Sequence, residues 1–299
     1  MNAIILFFLI LCQAACCFAD TAVDQSGSDA PEEHLSQEMP ASDIGVSYQN
    51  VDVLFTLYRP YLDNISAYQP IYFLVGADPG DSTFQFSFKY RLFDIDSRNS
   101  GTIDLMNGFH FAYTQTSFWD LAADSLPFED TSYKPELFFV SPKFDDGLSS
   151  NQGLFFQTGI QHESNGQGGD TSRSTNFLYA QPIFISYNPK TTFGFLIAPK
   201  VWAYVENDDE SNQDLPDYRG YFDLELKCGL AESLVVKSNL RWAKEGGSIQ
   251  LDLTFPIHRI IRGISGAYLQ VQYVNALAES LINYDKRTEA LRIGLSIIR

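Results

Sequence analysis

The sequence is poor in cysteine, in basic residues and in long apolar runs. Of its four cysteines, three lie close to the N terminus (Cys12, Cys16 and Cys17), so the rest of the chain is not a scaffold stapled by disulfides. Its 20 lysines and arginines face 37 aspartates and glutamates, for a net charge of -17. This charge argues against nucleic acid as a partner. After the N-terminal leader, no stretch approaches the roughly 18 consecutive apolar residues of a transmembrane helix.

The composition divides the chain into three parts. Residues 1–19 contain an uninterrupted apolar core followed by small residues, a pattern typical of a secretory signal peptide. Residues 20–46 are rich in Asp, Glu, Ser and Pro, which predicts an acidic, disordered N-terminal tail. Residues 47–299 carry the folded domain.

Within 47–299 the dominant signal is an alternation of apolar and polar residues, as in Phe84–Leu92 and Leu291–Ile297. A period of two indicates half-buried strands, and lengths of about 9–11 residues suit strands that cross a bilayer at a tilt. Twelve segments carry the pattern: 69–76, 82–93, 107–121, 135–144, 152–165, 174–188, 192–205, 220–231, 233–243, 247–258, 266–278 and 288–298. The prediction is an all-β fold, a transmembrane antiparallel β-barrel of about 12 strands, because an even number closes without free edges.

The connections between these strands support the same fold. Some are short, as at Asn188-Pro189-Lys190 and Gly246-Gly247, whereas 206–219 is long and acidic. Short turns at one end of a barrel and long loops at the other are typical of outer-membrane barrels. Charged residues on the inner faces of the strands, such as Asp223 and Glu225, are expected to pair inside the barrel.

The stretch 154–176 carries the candidate chemistry. His162 and Ser164 stand two residues apart, and residues i and i+2 of a strand point to the same face. A hydroxyl beside an imidazole can form a nucleophile–base pair, and Asn176 on the next strand could orient the imidazole. The face they share includes Leu154 and Phe156, so it is the apolar one, which suits an enzyme whose substrate is lipid.

Several motifs resemble one family. His162-Glu163-Ser164-Asn165-Gly166, Thr171-Ser172-Arg173-Ser174 and then Asn176 are similar to the site of the outer membrane phospholipase A family of Gram-negative bacteria. Tyr113-Thr114-Gln115 and Glu279–Tyr284 also resemble that family. The resemblance implies a twelve-stranded barrel in the cell outer membrane, with its site outside the wall near the outer leaflet. It implies Ser164 as nucleophile, His162 as general base, Asn176 as orienting residue and the Gly166 N–H as part of the oxyanion hole.

The resemblance also implies a cofactor and partners. Calcium would be held by the Ser172 hydroxyl, the Gln167 carbonyl and Ser125 of the partner subunit, because the family is active as a calcium-dependent homodimer. Gln115 would lie at the dimer interface. The substrates would be membrane phospholipids, hydrolysed at their acyl esters. The residues themselves agree, since calcium prefers oxygen ligands and the Gly-, Asp- and Ser-rich loop after Ser164 supplies them.

Two other interpretations remain open on the sequence alone. A non-enzymatic porin or structural barrel could keep the motif residues as a scaffold. A soluble, secreted β-sandwich esterase would show the same alternation of apolar and polar residues.

Overall fold

The computed structural model describes residues 64–95, 105–124, 128–144, 147–207, 211–264 and 266–299. The predicted signal peptide (1–19), the predicted acidic tail (20–46) and Ser125 lie outside the described residues.

Most of the described chain is strand. The strands are β1 (Ile65–Ser66), β2 (Ile71–Gly76), β3 (Ser82–Arg91), β4 (Phe109–Trp119), β5 (Phe128–Val140), β6 (Gln152–Ser164), β7 (Ser174–Tyr187), β8 (Phe193–Asn207), β9 (Phe222–Leu230), β10 (Val235–Ala243), β11 (Gly246–Pro256), β12 (Tyr268–Leu277) and β13 (Arg287–Ile298). One short helix, α1 (Leu215–Arg219), lies between β8 and β9. In the parts of the chain that the structure describes, no helix has both the length and the apolar character needed to cross a membrane.

The strands form one antiparallel sheet that closes on itself. From β2 to β13 each strand pairs with its neighbour in sequence, and β13 pairs with β2 to complete the wall. The two-residue β1 pairs with β3 on the edge that β2 also uses, so twelve strands form the barrel, which confirms the predicted fold. The closing contact is tight, because a Cβ at Gly294 would lie 2.0 Å from the Phe73 carbonyl oxygen.

Two details of the predicted arrangement were wrong. The segment 135–144 is really β5, Phe128–Val140. Pro135 is an expected strand boundary because it cannot donate to a ladder, but here it lies in mid-strand.

The second detail concerns the turns. The end of β8, the start of β9 and the end of β10 lie side by side, because Val201 pairs with Phe222 and Arg241 pairs with Asp223. The short turn after Ala243 is therefore at the same end of the barrel as the long 208–221 connection. Short turns are therefore not confined to one end.

The two faces of the wall differ in polarity. Outward side chains are apolar and exposed, among them Ile160 (55%), Leu178 (50%) and Ile293 (53%). Inward side chains are polar, buried and paired; the Asp252 carboxylate, for example, accepts hydrogen bonds from Gln270 and Gln272 at 2.9 and 2.8 Å. An apolar exterior around a polar interior is the pattern of a membrane barrel, and the β-sandwich interpretation is wrong.

Candidate active site

The end of β6 and the start of β7 bring the predicted imidazole and amide together. His162 and Asn176 are direct partners across the two strands, and the His162 Nδ1 lies 2.8 Å from the Asn176 Oδ1. Both side chains are half-buried on the outward face. Leu178, two residues after Asn176 on β7, lies on the same face and is exposed, so this face of β7 is the outward one.

Ser164 completes this cluster at the last position of β6. It pairs with Ser174 on β7 and with Tyr133 on β5, and strand alternation places its side chain on the face of His162. Among the described residues, no hydrogen bond joins the Ser164 hydroxyl to His162. Such bonds are often formed only when substrate is bound, and a serine hydroxyl can rotate toward the imidazole.

The site loop, residues 165–173, is organised by Asn165, a residue for which no role was predicted. Asn165 is buried (4% exposed), and its Oδ1 accepts hydrogen bonds from the Gln167 and Arg173 N–H groups at 3.2 and 3.0 Å. Its Nδ2 donates to the Thr171 carbonyl at 2.8 Å. The side chain therefore closes both sides of the loop. The tendency of Asn to bond the backbone two residues on is the sequence signal that could have found it.

Gly166 occupies a position that other residues would strain. Its φ is +68°, and a Cβ there would lie 2.7 Å from the Tyr133 ring. In the described structure its N–H donates to no backbone or side-chain acceptor. The position thus presents a free N–H two residues after the Ser164 hydroxyl.

The site loop supplies hard oxygen donors. The Gln167 carbonyl and the Ser172 hydroxyl both belong to this loop. The Ser172 N–H donates to the Gly169 carbonyl at 3.0 Å, which closes a turn from Gly169 to Ser172. Within the described residues no group of three His, Cys, Asp or Glu side chains could hold a metal. Carbonyl and hydroxyl oxygens fit calcium, which takes about six to eight oxygen ligands. Two donors from one chain leave several positions to water or to another subunit.

Gln115 lies on the outward face of β4, in the same row as the site. It pairs with Tyr133, which in turn pairs with Ser164. At a strand spacing of about 4.8 Å, Gln115 is about 10 Å from Ser164 along the wall. Its Oε1 accepts from the Tyr113 hydroxyl at 3.0 Å and its Nε2 donates to the Ser117 hydroxyl at 3.3 Å, which forms a polar strip on an otherwise apolar surface.

A twelve-stranded barrel with an apolar exterior and an outward Ser, His and Asn cluster defines an outer-membrane hydrolase. Residues 52–297 match the family model of phospholipase A1. The chain belongs to the phospholipase A1 family, and it is an enzyme of the outer membrane with phospholipase activity. Membership in this enzyme family argues against the non-enzymatic porin.

Curated relatives agree with this assignment, and solved structures agree with the fold. Phospholipase A1 of Escherichia coli is 28% identical over 292 residues, 92% of this chain and 93% of that protein. A putative phospholipase A1 of Neisseria meningitidis is 34% identical over 193 residues, 62% of this chain and 47% of that protein. The structure of outer membrane phospholipase A from Escherichia coli matches with a TM-score of 0.62 at 23% identity, over 79% of this chain and 94% of the other. The Salmonella typhi outer membrane phospholipase dimer with bound calcium gives 0.63 at 23% identity, over 79% and 92%.

Proposed function

We propose that this chain is a calcium-dependent phospholipase A that releases fatty acids through an acyl-Ser164 intermediate and is controlled by dimerisation. The observation that carries the proposal is the 2.8 Å contact between His162 Nδ1 and Asn176 Oδ1 on the face that Ser164 shares. That face is lipid-exposed, so the reacting groups meet the substrate without a passage through the lumen. Its position at the loop end of β6 suits the outer-leaflet boundary, where the ester bonds of phospholipids lie.

The tautomer follows from the amide contact. An amide oxygen only accepts, so the His162 Nδ1 carries a proton and donates a hydrogen bond to the Asn176 Oδ1, which leaves Nε2 free as a base. His162 takes the Ser164 proton as the hydroxyl attacks the acyl carbonyl, and then returns it to the leaving lysophospholipid oxygen. Water repeats the cycle on the acyl-serine to release the fatty acid.

The site loop supports the developing oxyanion. The free N–H of Gly166 would donate to that oxygen. The Gln167 carbonyl and the Ser172 hydroxyl would hold calcium, with Ser125 of the partner subunit completing the set. Bound calcium supplies positive charge beside the oxyanion. A ligand contributed by the partner subunit explains why a monomer would be inactive.

The outward row from Gln115 to Ser164 favours a dimer contact on this side of the barrel. Polar groups in a lipid-facing surface are costly unless they find partners, and a second barrel would provide them. The Salmonella typhi relative of similar fold is described as a dimer with bound calcium, which supports the same assembly for this chain.

Fatty-acid release from phospholipid in mixed micelles tests the proposal. We expect release by the wild type with calcium, loss of release with a chelator, and loss in Ser164→Ala under both conditions. A sulfonyl fluoride should label the wild-type protein at Ser164 only. Release by Ser164→Ala at the wild-type rate would contradict the mechanism. Release that does not depend on calcium would exclude calcium as the cofactor.

Ser172→Ala is expected to raise the calcium concentration needed for half-maximal activity by about tenfold, because one hard oxygen donor is lost. The measurement is a calcium titration of fatty-acid release. Thr171→Ala is the matched control: the Thr171 hydroxyl already donates to the Gly168 carbonyl at 3.1 Å and is not a proposed ligand. An unchanged titration for Ser172→Ala would exclude Ser172 from the calcium site.

A further inference from the structure

Glu163 lies between His162 and Ser164 in sequence, but strand alternation turns its side chain into the barrel, where it is 3% exposed. Its two peptide bonds join it directly to the two outward residues, His162 and Ser164. Any contact that fixes the Glu163 carboxylate therefore also restricts the peptide planes that aim His162 and Ser164.

Arg219, the last residue of α1, holds that carboxylate from inside the barrel. The Arg219 Nη1 and Nη2 lie 2.7 and 3.4 Å from the two Glu163 oxygens, and Arg219 is only 6% exposed. Lys134 adds a second cation, its Nζ 3.8 Å from the Glu163 Oε1. A two-pronged guanidinium contact fixes the orientation of a carboxylate as well as its position.

The backbone of β6 lacks support from β5 at this point. Tyr133 pairs with Ser164, and the next pair in the ladder is Glu136 with Gln161. The same register places Pro135 opposite His162, and proline has no N–H to donate. In the described ladder, His162 and Glu163 are thus paired only on the β7 side, and the Glu163 side chain provides the second attachment.

The segment that carries Arg219 is itself anchored. Leu215 is fully buried and packs against Leu281, which belongs to the connection between β12 and β13. The Asn212 Nδ2 donates to the carbonyl of Ser174, the first residue of β7, at 3.1 Å. Arg219 is therefore presented by a fixed support rather than by a free side chain in the lumen.

We propose that the Glu163–Arg219 ion pair is a positioning device, acting from the lumen through the β6 backbone, that keeps His162 and Ser164 in reacting geometry. This inference rests on the proposed function of those two residues. It couples an outward active site to a helix in the connection between β8 and β9, a link that the chemistry of the site alone does not require.

The test uses Glu163→Gln, Arg219→Gln and the double variant that combines these two substitutions. Glu225→Gln is the control. The control Glu225 also forms an inward ion pair, its carboxylate 3.4 Å from the Lys237 Nζ, but on β9, away from the site. For each variant we would measure kcat and KM in calcium-containing mixed micelles and the rate of Ser164 labelling by a sulfonyl fluoride. Heat-modifiable migration would report whether the barrel is folded.

We expect Glu163→Gln to lower kcat and the labelling rate about 10- to 100-fold at unchanged KM, because small misplacements of reacting groups cost about this much. The kcat of the double variant should be no lower than that of the less active single variant, since both substitutions act through one contact. Should a single variant fold poorly because a buried charge is left uncompensated, the double variant removes both charges. Glu225→Gln should behave as wild type.

A folded double variant with the wild-type kcat would overturn the positioning role, and so would an equal loss in Glu225→Gln. Wild-type protein that is labelled at Ser164 and releases fatty acid with calcium keeps the proposed function in either case. A wild type that is neither labelled nor active with calcium would overturn the proposed function, and the positioning role with it.

Discussion

Replacing His162 by alanine is expected to reduce kcat for fatty-acid release by at least about 10³-fold, a barrier increase of about 4 kcal/mol. Serine is a weak nucleophile until a base removes its proton, and the described residues offer no second base beside Ser164. The side chain is half-buried on the outer wall, so its removal leaves the lumen network and the strand ladder intact. The measurement is the initial rate in mixed micelles with calcium.

His110 provides the matched control for this substitution. It is also a strand histidine, but its ring stacks on Phe138 and its Nδ1 lies 2.8 Å from the Gly108 carbonyl. His110→Ala should keep the wild-type kcat. Asn176→Ala should fall between the two, with a loss of about 10²-fold, because the imidazole remains but is no longer oriented. Equal rates for His162→Ala and the wild type would show that His162 is not the general base.

The sequence predicted those parts of the molecule that depend on local periodicity. The alternation of apolar and polar residues located the strands, and the i, i+2 spacing put His162 and Ser164 on one face. That face could be recognised as the lipid side because the other even-numbered residues of β6, such as Ile160, are mostly apolar. The contact of His162 with Asn176 also follows once the two strands form a hairpin.

What the sequence did not predict depends on contacts between distant segments or on exceptions to local rules. Pro135 within β5 contradicts the usual confinement of proline to strand ends, so the start of that strand was missed. The Glu163–Arg219 pair joins residues 56 apart in sequence, and no periodic pattern marks it. The role of Asn165 is set by three backbone contacts that exist only after the site loop has closed.

Gly166→Ala is expected to lower kcat by about 10²-fold while the barrel remains folded. Two effects add at this position. A left-handed φ of +68° costs an L-residue about 1–2 kcal/mol, and the new Cβ would lie 2.7 Å from the Tyr133 ring. Tyr133 pairs with Ser164, so relief of the clash must move either the ring beside the nucleophile or the Gly166 N–H. Movement of the N–H would take the proposed oxyanion donor away from the position it must occupy, and movement of the ring would disturb the surroundings of Ser164.

Two other glycines of the same loop separate the contributions. Gly169 also has a positive φ, +64°, but nothing lies within 4 Å of a Cβ there, and Gly168 has neither a positive φ nor a neighbour within that distance. Gly169→Ala should therefore show the cost of backbone strain alone, and Gly168→Ala should keep the wild-type rate. If Gly166→Ala and Gly169→Ala lose activity equally, the contact with Tyr133 is not what matters. If Gly166→Ala keeps the wild-type kcat, its N–H is not the oxyanion donor, because such a donor must lie about 2.7–3.1 Å from the oxyanion and a displaced N–H would no longer do so.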